Sequence, residues 1–288
     1  MNILLKAIIF TPIMEKLVVD ASKPKWKINI GELWHYRDLF LILAYRDLRV
    51  RYAQTFLGLL WAVLQPVTTI IIFTVVFGKV ANVDTEGIPY PLFAAIGLGS
   101  WSYFSFVLNQ SGNSIIGAQE MVKKIYFPRL VIPLSKALVG FVDFAIILLF
   151  IIVLMIYYGV APSSQIVFLP IFILLTILSA LAAGIWLSAL TIRYRDFQHI
   201  VPFLVQFGLY ATPVGYSAKD LIKNLPEWAT FLVYANPMAG VVEGFRWSII
   251  GGTPPSIYAY FSFMVVLILF ISGLYYFKRV ERVMADIV

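Results

Sequence analysis

The chain has no cysteine, only two histidines (His35 and His199) and few charges, with Asp, Glu, Lys and Arg making up 13% of its 288 residues. Each shortage closes off a class of protein. Without cysteine there is no thiol nucleophile, no thiolate-bound zinc, no iron–sulfur cluster and no disulfide framework. The histidines form no His-x-x-x-His pair and no acidic metal cluster accompanies them, so the usual metal-hydrolase patterns are missing. No Gly-x-x-x-x-Gly-Lys-Ser/Thr segment occurs, and ATP is therefore not bound through a phosphate loop of that kind. A soluble domain carries about 25% charged residues. A chain with about half that share lacks the polar surface to cover a water-soluble globule. A soluble enzyme, a disordered chain and a disulfide-stapled secreted domain are all excluded.

What is present is oil: 61% of residues are hydrophobic and 16% are aromatic. That is the composition of an integral membrane protein. The net charge of +7 would point to nucleic acid in a soluble protein. In a membrane protein it is what Lys- and Arg-rich cytoplasmic loops produce, and no nucleic-acid partner is expected.

A bilayer core of about 30 Å needs about 20 apolar residues of helix. Six stretches are expected to cross, at about 57–78, 91–116, 130–158, 166–192, 200–217 and 256–277. The fifth is the shortest and carries Pro202, Gly208, Pro213 and Gly215. Long unbroken apolar runs exclude an outer-membrane barrel, whose strands alternate over about ten residues. The expected fold is therefore all-α and polytopic. Residues 1–32 form a cytoplasmic N-terminal segment, 33–56 an interfacial amphipathic helix, 57–277 the six-helix transmembrane domain and 278–288 a cytoplasmic tail. Seventeen lysines and arginines fall on the side that holds both termini and four on the other, which places both ends in the cytoplasm. Met1–Met14 is split by Lys6 and lacks a small-residue cleavage site, so it is not read as a signal peptide. Lys23-Pro24-Lys25 reads as a linker.

Two regions do not fit the spans. Leu33–Phe56 contains Tyr-Arg-Asp-Leu twice, at 36–39 and 45–48. Nine helical residues turn a side chain through about half a turn net, so the copies face opposite sides. The expected picture is a helix at the cytoplasmic membrane surface with its middle sunk into lipid or against other helices, its arginines reaching the headgroups. Ala218–Pro255 is too long for a turn. Within it, Leu221–Tyr234 and Met238–Ile250 are expected as re-entrant or interfacial helices on the outer face. Non-helical backbone there must be shielded by protein or line a wet cavity.

Few groups inside the membrane carry chemistry. Asp143 and Glu243 are the carboxylates, too few for a proton-driven carrier and not clustered as a membrane glycosyltransferase would need. Lys136 and Asp143 lie seven residues apart on one helix face. They form either a polar site in the bundle or, as expected, a lysine reaching the interface and an aspartate bonded to a neighbouring helix. Ala180, Gly184 and Ser188 recur at four-residue spacing, which lets two helices approach closely. Phe203, Phe207 and Tyr210 share one helix face. Such rings can hold the C–H faces of sugars without demanding one hydroxyl pattern, although packing explains any single ring equally well.

Four blocks in order carry a family resemblance: RDLRVRYAQTFLGLLWAVLQP at 46–66, KKIYFPRLVIPLS at 123–135, Arg-Tyr-Arg-Asp at 193–196 and Asn-Pro-Met at 236–238. Together they resemble the permease subunit of bacterial ABC exporters for polysaccharides such as O-antigen, capsule and teichoic acid, over roughly residues 35–280. The resemblance implies a multi-pass protein of the bacterial inner membrane that is not itself an enzyme. It implies a homodimeric channel, paired with two copies of a separate ATPase subunit that holds ATP and Mg, and a glycan on a lipid carrier such as undecaprenyl diphosphate. The chain itself then needs no cofactor and no metal, and its partners are the ATPase, a second copy, the lipid-linked glycan and membrane lipid. An exporter of a drug or small lipid is the alternative within the same architecture.

The resemblance also distributes roles. The loop with Glu120, Met121, Lys123, Lys124, Tyr126 and Arg129 would dock into the ATPase. Arg46, Arg49 and Arg51 would lie at the gate, where a lipid diphosphate sits, because arginine's planar donors match phosphate oxygens. Positive-inside flanking explains these arginines equally well. Trp61, Trp101, Phe104 and Tyr210 are expected on the polymer path by aromatic type and depth alone. The mechanism implied is a stroke delivered from outside the membrane: ATP closes the partner subunits, the docking loops move, and the spans shift as rigid bodies.

Overall fold

The computed structural model describes residues 30–53, 60–223, 226–281 and 284. The N-terminal segment with its linker, the first residues of the first expected span and most of the tail lie outside the described residues. Among the described residues all regular structure is helical. Five helices among these residues are long and apolar enough to cross a membrane: Trp61–Val80, Tyr90–Gly112, Val131–Tyr158, Ser164–Arg193 and Ala259–Glu281.

In chain order the helices are α1 (Ile30–His35), α2 (Arg37–Ala53), α3 (Trp61–Phe73, continued by a π-helical stretch, Thr74–Val80), α4 (Tyr90–Gly112), α5 (Gln119–Lys124) and α6 (Val131–Tyr158). There follow α7 (Leu169–Arg193), α8 (Phe197–Ala211), α9 (Ala218–Lys223), α10 (Glu227–Ala235), α11 (Pro237–Ile250) and α12 (Ala259–Glu281).

The stretch expected as a fifth span forms α8, a helix of 15 residues. At 1.5 Å per residue it reaches about 22 Å, short of the hydrocarbon core. Thr212 is extended and ends the helix, and Pro213, which follows, has no N–H to continue it.

α4 is the central helix. In its most apolar stretch 78% of residues are buried, against 17–33% in the other four long helices, and its mean hydropathy of 1.4 is the lowest of the five. The two facts have one cause. A helix surrounded by protein needs small residues for close approach, whereas a helix facing lipid needs apolar bulk. Gly99 on α4 lies against Ile147 of α6, and Gly184 of α7 lies against Ser111 of α4. The small-residue stripe on α7 is thus its packing face against α4. α7 also packs along α12, and α11 is wedged between α4, α7 and α12.

The Asn-Pro-Met block is a helix start. The Asn236 side-chain oxygen accepts from the Met238 N–H at 3.0 Å and Pro237 takes the first helical position, as helix N-termini favour. The helix it opens is short, at 14 residues, and buried along most of its length. Gly244 allows this: a Cβ there would fall 1.9 Å from the Phe172 ring.

Candidate functional site

Three places hold the polar side chains that an apolar bundle would otherwise exclude. The first is the junction of α2 and α6. α2 packs on α6 and buries only Leu43 and Ala44. Its two Tyr-Arg-Asp-Leu copies do face opposite ways. Arg37 and Asp38 of the first are exposed, while Asp47 of the second points into the junction and pairs with Lys136. One helical turn on, Arg51 reaches Asp143 at 2.6 Å and the Tyr52 hydroxyl donates to the other oxygen of the same carboxylate. Arg46 donates twice to Asp47, at 2.8 and 3.0 Å, and the Arg51 guanidinium stands 4.3 Å from the Phe106 ring centre.

Asp143 therefore does bond a neighbouring helix, as expected. Lys136 does not run to open solvent; it is held by that same helix. A cavity of about 430 Å³ opens beside the pairs, lined by Val50, Phe106, Gln110 and Val139 with three of the charged groups. Burial pushes the Asp47 carboxyl up, but hydrogen bonds from Lys136 and Arg46 outweigh it and leave the group below its ordinary 3.8. Burial, reinforced by Asp143, pushes the Tyr52 phenol up to about 12.

The arginines expected at a gate thus divide. Arg46 and Arg51 are committed to Asp47 and Asp143. Arg49 is exposed and has no ion-pair partner among the described residues. The sequence shows Lys136 and Asp143 but not their partners, about ninety residues earlier.

The second place is the loop 119–129 at the same end of the bundle. α5 is a single turn and a half, closed by a Glu120–Lys124 ion pair at 3.1 Å. Lys123, Lys124, Ile125 and Tyr126 are exposed, and Met121 is half-buried. Arg129 differs from the rest of the loop. Its backbone N–H and guanidinium both bond Glu281, at 3.1 and 2.9 Å, and so tie the loop to the end of α12. The Tyr36 hydroxyl meets the Tyr126 carbonyl at 3.5 Å.

The third place, at the opposite end, was not foreseen. Arg246 of α11 is buried and donates to four backbone carbonyls: Phe93 at 3.4 Å, Pro213 at 2.9 Å, Tyr216 at 3.2 Å, and Val214. The Tyr90 hydroxyl takes the remaining carbonyl of the run, Gly215, at 2.7 Å. Four successive carbonyls past the end of α8 are thus satisfied by side chains from α4 and α11. Irregular backbone at membrane depth is tolerated only on such terms. Gly97 leaves the room: a Cβ there would sit 2.5 Å from the guanidinium. One turn earlier on α11, Glu243 accepts from the Tyr234 hydroxyl at 2.9 Å and from the Ser256 N–H at 3.1 Å. In sequence Arg246 counts as one more outer-side cation. The clue was its position inside an apolar run too short to cross.

Between these ends runs α8, which buries only Val201. Phe203, Phe207 and Tyr210 are exposed along it, the two phenyl rings near parallel with centres 6.5 Å apart. On its inner side Gly208 makes a notch for the Trp101 indole. Of the four rings expected on a polymer path, Tyr210 and Trp61 are open, at 58% and 54% exposure. Trp101 and Phe104 are each 6% exposed and pack together, 5.1 Å between centres, behind α8. Aromatic type and depth do not separate a ring that faces out from one that props the helix from behind.

Among the described residues there is no group of three or more His, Asp or Glu that could hold a metal ion.

Similarity to known proteins runs along nearly the whole chain. It is 30% identical over 264 residues to the O-antigen export system permease protein RfbA of Klebsiella pneumoniae, spanning 91% of this chain and 98% of that one. It is 31% identical over 219 residues to the RfbA permease of Myxococcus xanthus, spanning 75% of this chain and 82% of that one. The polysialic acid transport protein KpsM of Escherichia coli is 24% identical over 214 residues, 72% of this chain and 79% of that protein. The family description "ABC-2 type transporter" matches residues 38–250, a stretch that includes nearly all of α2, the loop 119–129, α8 and the Arg246 cluster. With its membrane-length helices, the chain belongs to the ABC-2 type transporter family.

Proposed function

We propose that the chain is the permease subunit of an ATP-driven exporter that moves a lipid-linked polysaccharide, of the O-antigen kind, across the inner membrane. The observation that carries this reading is the near end-to-end similarity to two O-antigen export permeases. The lower identity to a polysialic acid transport protein favours an O-antigen-like polymer over that one. The carrier is a lipid such as undecaprenyl diphosphate, and Arg49, exposed and without an ion-pair partner among the described residues, is the residue that meets its phosphates.

In this reading two copies form the conduit, each with six crossings and both termini in the cytoplasm. α8 and the non-helical residues after it together make the fifth crossing, and α9 to α11 form the outer re-entrant cap. The polymer slides over Phe203, Phe207 and Tyr210, with Trp61 at the entrance and Trp101 and Phe104 as the backing. Stacking on sugar faces is tolerant of pattern, as a sliding polymer requires. The exposed residues Glu120, Lys123, Lys124 and Tyr126, with Met121 beneath them, receive the stroke of a separate ATPase. Arg129 passes it to α12 through Glu281. The permease makes and breaks no bond; it biases a conduit between two states that ATP binding distinguishes.

The test has two arms. The purified chain alone is expected to hydrolyse no ATP and to copurify with an ATP-hydrolysing subunit; intrinsic hydrolysis refutes the two-component reading. Deleting the gene is expected to remove surface polymer, and Phe203→Ala with Phe207→Ala is expected to slow its appearance several-fold. Normal surface polymer in the deletion strain refutes polysaccharide export.

A further inference from the structure

We propose that α2 and α6 move as one rigid body, and that opening toward the bilayer at this end takes place at the contacts of α3 and not between α2 and α6. The inference rests on the export reading for its purpose and on the α2–α6 junction for its substance.

Two cross-helix rungs make the junction. Asp47 and Arg51 stand one turn apart on α2; Lys136 and Asp143 stand two turns apart on α6. At 1.5 Å per residue those spacings are about 6 and 10 Å. The rungs therefore close together only at one crossing and one register. Both oxygens of Asp143 are taken by α2, one by Arg51 and one by Tyr52. Asp47 receives Lys136 on one oxygen and Arg46 on the other. A swing of α2 away from α6 would leave a lysine and an aspartate two turns apart in a membrane-spanning helix. With α2 in place their side chains are only 12% and 17% exposed, and separation would strip each of a charged partner, which is costly for a charge on a membrane-spanning helix.

α3 is held differently. Only 17% of its most apolar stretch is buried, it meets its neighbours through Ala62, Ile70 and Phe73, and no ion pair joins it to α4 or α6 among the described residues. Apolar contacts of a helix so largely exposed slide at little cost, because lipid tails offer the same contacts.

The absence of cysteine makes the test clean. Val50 of α2 and Val139 of α6 line the same cavity. The pair Val50→Cys with Val139→Cys supplies the only two thiols of each permease chain, bridged in the complex assembled with a cysteine-free ATPase by a short, reducible bis-thiosulfonate reagent. Expected is that the bridged complex keeps more than half of its polymer export. Loss of more than half, restored on reducing the bridge, overturns the proposal.

Coupled ATP turnover is measured alongside. If wild-type complex exports no polymer, the export reading fails on that arm alone, and turnover decides the rigid unit: unchanged by the bridge upholds it, lowered by the bridge and restored by reduction overturns it. A second variant removes dependence on the reagent. Asp47→Lys and Lys136→Asp singly are expected to lower complex yield several-fold, and the two together to restore it. A double variant no better than the worse single overturns the cross-helix rung.

Discussion

Replacing Arg246 by methionine keeps the bulk of the side chain and removes all of its donors. In the structure those donors reach four carbonyls, three of them in the non-helical run Pro213–Tyr216. A buried carbonyl stripped of its partner costs about 1–3 kcal/mol, so the three loop carbonyls alone represent about 3–9 kcal/mol. Against this, the variant no longer buries a guanidinium, which returns several kcal/mol. The difference between the two leaves a net loss of about 3 kcal/mol. At about 2–4 °C per kcal/mol for a chain of this size, the purified complex in nanodiscs should melt about 10 °C lower than wild type. Arg246→Lys offers one ammonium with three donors in place of the planar fork, which can serve some of the carbonyls but not all, and should fall between. A methionine variant melting within about 2 °C of wild type would refute the idea that this guanidinium holds the backbone beyond α8.

Other expectations follow from single sites. Gly244→Ala drives a methyl into the Phe172 ring, which is itself packed against Trp247 and Phe263; the overpacking should cost about 1–3 kcal/mol, read as a lower melting temperature that Phe172→Leu partly relieves. Lys123→Glu with Lys124→Glu should lower the yield of permease–ATPase complex while leaving the amount of membrane-inserted chain unchanged, measured by pull-down against total membrane content. Asp47 has a folded pKa below its ordinary 3.8. Its contribution is therefore complete above the ordinary value and is lost only as pH falls through the lower, folded value. Thiol bridging of the Val50→Cys/Val139→Cys pair should accordingly be as efficient at about pH 5 as at about pH 8, once corrected for thiolate reactivity with a free-thiol control.

The long spans were legible because their signal is local. Apolar runs such as Leu130–Tyr158 and Ile166–Ile192 need no tertiary information, and the helices found at Val131–Tyr158 and Leu169–Arg193 match them within a few residues. The small-residue stripe on α7 was legible for the same reason, since spacing alone says which face is narrow. The fifth stretch was less so. Its prolines and glycines warned of irregularity, but whether apolar residues beyond Ala211 continue a helix or leave it depends on partners for their carbonyls, and those partners sit on α4 and α11. The opposed copies of Tyr-Arg-Asp-Leu show the limit from the other side. Periodicity told that one copy faces away from the other; it could not say that the inward copy meets Lys136.

The charges are where sequence reading stopped, and the reason is physical. In a chain this poor in ionisable groups, side-flanking rules treat each Lys and Arg as a loop marker, and for Lys123 or Lys124, both exposed, that is adequate. Inside the bundle the same residue types obey a different constraint, because a buried polar group must find a partner wherever one is in reach. Partners supplied by another helix leave no periodic trace: Asp47 and Lys136 are separated by 89 residues, and Arg246 lies 32 residues from Val214. What remains visible is the exception itself. Lys136 and Asp143 interrupt an otherwise uncharged span, Arg246 interrupts an apolar run, and each of these marks a point where one helix is fastened to a distant segment. Exposed Arg49, on the same helix as Arg51 and of the same type, shows by contrast that residue identity and neighbourhood in sequence do not distinguish a fastening from a charge left exposed; only the presence of a carboxylate on the facing helix, Asp143 for Arg51, does.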